Sequence, residues 1–265
     1  MNLENLLTDY SSLSLLTFIV FSFAAGFIDA VAGGGGLIQL PALLISLPQV
    51  QIPTIFGTNK IASLAGTSFS AAQYAKRIKF NYKLLLAISL SAALASFLGA
   101  KVVSYVNVNT LKPIILVALI AMAIYTFLKK DLGSAQSKTL PLKQQILGGT
   151  GIGLVLGFYD GFFGPGTGSF FVLGFVLILG FEFVQASAYA KLVNCATNVS
   201  ALGVFISQGN YILELAILLS ICNISGNILG ARMALKKGNT FVRLVFLVIV
   251  SIMIMRYAYD IFLKG

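Results

Sequence analysis

The charged residues that could do chemistry in this chain occur as pairs 131 positions apart. Asp29 is matched by Asp160 and Lys60 by Lys191, and all four lie within or beside long apolar runs. A charge in such a place is costly unless it is paired or has a function. Two hypotheses follow. In the first, each aspartate pairs with the lysine of its own half and holds a broken helix against the helix that follows it. In the second, the lysines attract an anion, and the aspartates act as proton or counter-charge partners.

Histidine is absent from the sequence, and the two cysteines, Cys195 and Cys222, lie inside apolar segments. Without histidine, imidazole-based catalysis and the usual haem ligation are excluded, and two thiols alone do not make a usual zinc site. We therefore expect no metal site and no cofactor. We also predict no catalytic residue and no enzyme, for the reasons given below for a lipid-phosphate hydrolase.

A glycine cluster begins four residues after each aspartate, at Gly33 in one case and Gly164 in the other. Each cluster precedes an apolar segment that is too short to span a bilayer. Short helices beginning at Leu37 and Ser169 would turn free N–H groups and positive dipole ends toward an anion. Neither cluster is followed by the lysine of a phosphate-binding loop. The residues predicted to bind are Gly33, Gly34, Gly35, Gly36, Gly164, Gly166, Thr167, Gly168 and Ser169.

The longer apolar segment after each cluster carries a polar face. Lys60, Ser63 and Thr67 are spaced i, i+3 and i+7, so they share one side of a helix. A face of this kind usually turns toward a cavity in a membrane protein. Hydrogen bonding between helices is the alternative explanation. The residues that complete the predicted site are Thr58, Asn59, Lys191, Asn194 and Asn198.

The elements that position these residues are predicted to be membrane helices. Hydrophobic residues make up 58% of the 265 and charged residues 10%, whereas about a quarter of a soluble domain is charged. The 18 Lys and Arg fall largely between apolar runs, which is typical of a multi-pass membrane protein and not of a nucleic-acid-binding module. The predicted apolar segments are 12–32, 37–47, 52–75, 84–106, 111–128, 144–163, 169–181, 183–206, 211–235 and 241–263.

The same shift of 131 also aligns glycines and small residues, which indicates an internal duplication. Gly26 meets Gly157, and the run that begins at Leu98 (Leu-Gly-Ala-Lys) meets the one at Leu229 (Leu-Gly-Ala-Arg). The sequence therefore divides into a first repeat, a basic cytoplasmic linker and a second repeat, with bounds 1–130, 131–143 and 144–265.

Loop charge predicts the relative orientation of the two repeats. The connection 76–83 contains four basic residues and its counterpart 207–211 contains none, so the two lie on opposite sides of the membrane by the positive-inside rule. The predicted fold is an all-α polytopic protein of two inverted repeats. Each repeat has a glycine-broken, re-entrant helix pair followed by three spanning helices, and both termini lie outside.

Three motifs resemble the sulfite exporter TauE/SafE family. They are Gly-Phe-Ile-Asp-Ala-Val-Ala-Gly-Gly-Gly-Gly from Gly26, Gly-Thr-Asn-Lys from Gly57, and Gly-Phe-Tyr-Asp-Gly-Phe-Phe-Gly-Pro-Gly-Thr-Gly from Gly157. The resemblance covers nearly the whole chain. It implies transport of a sulfur oxyanion or organosulfonate, such as sulfite, thiosulfate or sulfoacetate, across the cell inner membrane, with no cofactor. It also implies that the glycine turns and the polar residues after them form the substrate site.

The residues themselves predict a transporter of a small anion that binds near the midplane, between two opposed broken helices. Its partners are the anion, the lipid bilayer and, for coupling, a proton or another ion. A passive anion channel is an open alternative, because the same site could conduct. An intramembrane lipid-phosphate hydrolase is disfavoured, because no arginine lies near the glycine turns and only eight acidic residues are present.

Overall fold

The computed structural model describes residues 12–47, 49–103 and 140–262. Every regular element in these ranges is helical, which confirms the all-α prediction. The predicted segment 111–128 and most of the linker 131–143 lie outside the described residues. The helices are α1 (Ser12–Ala32), α2 (Gly36–Ser46), α3 (Ile52–Ala75), α4 (Tyr82–Val102), α5 (Leu142–Phe162), α6 (Thr167–Gly174, continued by a π-helical turn Phe175–Leu179), α7 (Phe183–Ser207) and α8 (Leu213–Phe262, broken at Gly238).

Four helices in the described ranges are long and apolar enough to cross a membrane. They span Leu15–Ala32, Tyr82–Val102, Phe183–Ser207 and Leu213–Gly238. Large apolar side chains on the outer surface remain exposed, as Leu147 (76%) illustrates, and lipid is the solvent that suits them. The chain is therefore a multi-pass membrane protein. Helices α3 and α5 have similar lengths, 24 and 21 residues, but contain more polar residues and glycines.

Each glycine cluster reverses the chain direction and forms a helical hairpin. In the first hairpin, α2 folds back along α1, so that Gln39 Nε2 donates to Ser22 Oγ over 3.3 Å. In the second, the Tyr159 hydroxyl donates to the Pro165 carbonyl over 2.7 Å. The turns require positive φ, as at Gly33 (79°), a conformation that glycine adopts without steric cost.

Contacts between the two halves come in exchanged pairs. The Thr58 hydroxyl accepts from the Ile212 amide over 2.9 Å, and the Tyr189 hydroxyl accepts from the Asn81 amide over 2.8 Å. Thr58 and Tyr189 are 131 positions apart, as are Asn81 and Ile212. One contact therefore becomes the other when the halves are exchanged.

The central helices α3 and α7 run in opposite directions. Gly57, near the start of α3, lies against Phe205, near the end of α7, and Ser68 Oγ, further along α3, lies 3.8 Å from the sulfur of Cys195. Two helices in equivalent positions of the duplication are thus antiparallel where they meet.

The outer helices pack across the halves through glycines. Gly26 of α1 lies against the backbone of Asn223 in α8, and Gly157 of α5 lies against the backbone of Ala92 in α4. Any side chain at either glycine would overlap the facing backbone, so these positions allow the helix axes to approach closely. The first helix of each half is consequently held by the last described helix of the other half.

Candidate functional site

A cavity lies where the two hairpin turns meet the middle of α3 and α7. Its volume is about 30 Å³, which is room for one or two water molecules. Both halves contribute to its wall. The predicted site residues that line it are Asp29, Gly33, Gly36, Asn59, Lys60, Ser63, Asp160, Gly164, Gly166, Gly168, Asn194 and Asn198.

The two turns touch each other beside this cavity. The Ser169 amide donates to the Gly33 carbonyl over 3.0 Å, and the Ser169 hydroxyl donates to the Ala32 carbonyl over 2.8 Å. A Cβ on Gly168 would overlap the Gly33 backbone. The hairpins of the two halves are therefore joined directly, glycine against glycine.

The first amides of the short helices differ from the sequence prediction. We expected free N–H groups at Leu37 and Ser169, but the Leu37 amide donates to the Gly34 carbonyl over 3.0 Å and the Ser169 amide to Gly33. Tight turns satisfy such amides locally or across the contact. Helices α2 and α6 begin one or two residues earlier than predicted, at Gly36 and Thr167, which is within the usual ambiguity of helix ends.

Lys60 forms an ion pair with the aspartate of the other half. Its Nζ lies 2.7 Å from Asp160 Oδ2, and the two side chains are only 6% and 3% exposed. Both residues line the cavity. The charge pair thus belongs to the cavity wall and links α3 to the second hairpin.

Lys191 forms the corresponding pair with Asp29. Its Nζ lies 3.1 Å from Asp29 Oδ2 and also donates to the Asp29 backbone carbonyl. The Thr67 hydroxyl donates to the same carboxylate oxygen over 2.8 Å. Lys191 is fully buried and lies outside the cavity wall, which distinguishes it from Lys60.

The predicted pairing within each half is therefore wrong. The sequence suggested that Asp29 would pair with Lys60 and Asp160 with Lys191, but both pairs connect different halves. The reason is the antiparallel packing of α3 against α7, which places each lysine beside the opposite hairpin. A Cβ on Gly164, for example, would lie 3.5 Å from Lys60 Nζ.

The sequence matches the family model for sulfite exporter TauE/SafE over residues 18–257. The chain belongs to the TauE/SafE family. Curated relatives cover almost the same length. The "Probable membrane transporter protein ORF9" of Sinorhizobium sp is 41% identical over 242 residues, 90% of each chain. The "Probable membrane transporter protein YfcA" of Escherichia coli K12 is 33% identical over 256 residues, 93% of this chain and 91% of the relative. No solved structure matches the chain.

This TauE/SafE protein is thus a membrane transporter, and its cavity offers uncharged polar groups besides the ion pair. Asn198 Nδ2 donates to Asn194 Oδ1 over 3.1 Å, and Ser63 lies on the opposite helix. Asn59 is 4% exposed, and its Oδ1 atom has no hydrogen-bond partner among the described residues. A buried amide without a partner is uncommon, and here it borders the space where a ligand or water would bind.

Seven predicted site residues lie outside the cavity wall of the TauE/SafE protein, and several of them have structural partners. Thr67 and Lys191 hold Asp29, Thr58 bonds to Ile212, and the Thr167 hydroxyl donates to the Gly164 carbonyl over 2.8 Å. Their spacing predicted the right helices, but only part of each polar face points into the cavity. The seven residues are Gly34, Gly35, Thr58, Thr67, Thr167, Ser169 and Lys191.

Sequence reasoning missed the apolar part of the wall. Leu40, Phe56 and Phe163 line the cavity, and the rings of Phe56 and Phe163 meet edge to face with centroids 5.8 Å apart. An apolar residue in an apolar segment carries no signal that separates a cavity wall from ordinary packing. Only the polar residues around them mark the position.

Proposed function

We propose that this TauE/SafE protein carries a small anion, a sulfur oxyanion or organosulfonate, by alternating access around the central cavity. The observation that carries this proposal is the composition of the cavity wall. A lysine ammonium, asparagine amides, a serine hydroxyl and glycine backbone converge there from both halves, beside the carboxylates of Asp29 and Asp160. The ammonium, amide, hydroxyl and backbone N–H groups suit a weakly basic tetrahedral anion, and the glycines permit close approach to the backbone.

The binding step follows from the ion pair. Lys60 already has a carboxylate partner 2.7 Å away, so an incoming anion competes with Asp160 for the ammonium group. Binding is favoured when the Asp160 carboxylate moves away from the ammonium group. We propose a proton or another ion as the coupling partner, and Asn59, Ser63 and Asn198 contribute the remaining hydrogen bonds.

Alternating access is supported by the relationship between the halves. Antiparallel α3 and α7, together with the exchanged contacts, are what an inverted duplication produces. The fold-back of α2 along α1 supports a re-entrant hairpin that reaches the middle of the bilayer and returns to the same side. A cavity of about 30 Å³ is small for an organosulfonate, so loading requires the hairpins to separate. We place the protein in the cell inner membrane with both termini outside.

Counterflow in proteoliposomes tests the carrier mechanism. Vesicles preloaded with unlabelled sulfite or sulfoacetate are expected to accumulate labelled anion transiently above the external concentration, which a passive channel does not do. A thermal-shift screen of the purified protein against sulfur oxyanions, phosphate and carboxylates then ranks ligands, because a ligand stabilises the folded state by mass action. An intact protein that neither binds nor transports any of these anions contradicts the proposal.

A matched pair of asparagine variants tests the site itself. Asn198→Ala removes an amide from the cavity wall, whereas Asn210→Ala removes one from an exposed hydrogen bond to Gln208. We expect a raised Michaelis constant for the anion in Asn198→Ala only. Equal kinetics in the two variants would place the binding site elsewhere.

A further inference from the structure

A second polar site lies far from the central cavity, where the ends of α3 and the spanning part of α8 meet. Two adjoining cavities of about 410 and 420 Å³ share Gln73, Lys76 and Arg232 in their walls. Neither has a lining residue in common with the central cavity. We call these two cavities together the basic groove.

The basic groove concentrates positive charge. Its walls carry Lys76, Arg77, Arg232 and Lys236, all exposed, and no acidic residue in the described part of the chain lines either cavity. None of the four forms an ion pair with a carboxylate in the described ranges. Four cations so close together repel one another, so an anionic ligand bound among them is electrostatically favoured.

One side of the basic groove is apolar and faces outward. Phe69 is 49% exposed and lines the second cavity beside Ala72 and Ile228. The groove also lies at the boundary of the spanning helices, since one apolar span begins at Tyr82 and another ends at Gly238. A cationic pocket at this depth, continued by an apolar surface, matches a molecule with an anionic head and a hydrocarbon tail.

The duplication of the fold does not require this charge. The positions that correspond to Lys76 and Arg77 in the other half are Ser207 and Gln208, and those that correspond to Arg232 and Lys236 are Lys101 and Tyr105. The equivalent positions therefore carry one cation, whereas the basic groove carries four. The cluster of cations therefore occurs at one end of the molecule only, and the duplicated fold does not account for it.

We propose that the basic groove binds the headgroup of an anionic phospholipid, with an acyl chain along Phe69, Ala72 and Ile228. The two arginines can hold phosphate oxygens with paired N–H donors, and the lysines add charge. Basic pockets between spanning helices are suited to such headgroups. A lipid with two phosphates is the better match to four cations than a lipid with one. The apolar wall favours a lipid over a transported anion, because a small anion has no apolar part to contact it.

The test compares lipids on the purified full-length protein. Thermal unfolding in detergent is followed while a diphosphate lipid of the cardiolipin class, a monophosphate phosphatidylglycerol or zwitterionic phosphatidylethanolamine is added. We expect saturable stabilisation in the order diphosphate, monophosphate, zwitterionic. Arg77→Gln with Arg232→Gln is expected to weaken the apparent affinity for the diphosphate lipid about tenfold or more, since each basic residue contributes separately to the binding of anionic lipid.

The control variant removes equal charge from the connection between α3 and α4 and from the first turn of α4, as Lys79→Gln with Lys83→Gln. Its lipid affinity is expected to stay within about threefold of the parent, because neither lysine lines the groove and charges exposed to solvent are screened by salt. Arg77→Lys with Arg232→Lys keeps the charge and is expected to retain part of the affinity, and its lipid response is measurable even if the glutamine variant fails to fold. Equal losses in the control would mean that surface charge alone attracts the lipid. Inorganic phosphate or sulfite that stabilises as well as the lipid, and through the same arginines, would overturn the proposal in favour of an anion vestibule.

Discussion

The cross-half ion pair gives a quantitative test of how the two halves are joined. Lys60 and Asp160 are almost fully buried, with 2.7 Å between the nitrogen and the carboxylate oxygen. At an effective dielectric constant of about 20, that separation corresponds to about 6 kcal/mol of attraction, most of which offsets the cost of removing the charges from water. Removing one partner leaves the other charge buried, which costs about 3–5 kcal/mol.

The perturbation is Lys60→Met, tested for rescue by a second substitution at either of the two aspartates. Lys60→Met alone is expected to lower the free energy of unfolding by about 3–5 kcal/mol. Adding Asp160→Asn removes the orphaned charge and is expected to recover most of the loss. Adding Asp29→Asn instead is expected to lower stability further, because Lys191 then loses its carboxylate while Asp160 remains unpaired.

Denaturant unfolding in one detergent measures the free energy of unfolding of the parent protein, of Lys60→Met and of its two double variants. Recovery by Asp29→Asn, and not by Asp160→Asn, would show that the lysines pair within their own halves and would refute the ion pairs between the halves. Transport adds a second readout. A stable Lys60→Met/Asp160→Asn protein with a raised Michaelis constant would place Lys60 in the anion site, whereas full transport would make the pair purely structural.

Two further predictions test the contact between the hairpins and the orientation of the halves. Gly168→Ala is expected to reduce stability and transport, because its Cβ would overlap the backbone of Gly33. Gly203→Ala is the control and is expected to be neutral in both assays, because the space around Gly203 is open. Equal effects of the two substitutions would show that the contact between the hairpins is dispensable. In a background without the native cysteines, a cysteine at Gln208 is expected to react with an impermeant reagent from outside and one at Lys79 only from inside, and labelling from the same side would exclude inverted repeats.

The sequence predicted the helices and the cavity-facing polar residues because both depend on local spacing. The i, i+3 pattern of Lys60 and Ser63 and the glycine cluster at Gly33 need no knowledge of distant contacts. The partner of Lys60 does depend on such contacts. A shift of 131 shows that two lysines and two aspartates are equivalent, but pairing within or between halves preserves that equivalence equally well. Only the packing of α3 against α7 decides whether the pairs form within or between the halves.

Seven of the predicted site residues lie outside the wall for the same reason. Thr67 follows the helical spacing of Lys60, yet its hydroxyl turns to Asp29, which approaches from α1. The sequence indicates the basic groove only in part, because Arg232 is far from Lys76 in sequence. Loop charge predicts orientation, but nothing in the sequence alone brings α8 beside the end of α3.

The packing of α1 against α8 has a consequence for biosynthesis. The Ser22 hydroxyl donates to the Leu219 carbonyl, 197 residues later in the chain. At about 5–20 residues per second, the ribosome makes the partner of α1 about 10–40 s after α1 itself. For most of that interval Asp29 also lacks Lys191, so its carboxylate has no lysine partner until α7 is made. The glycine-lined surface of α1 has no partner until α8 is made. The packing of the first half is therefore completed only after α8 has been synthesised.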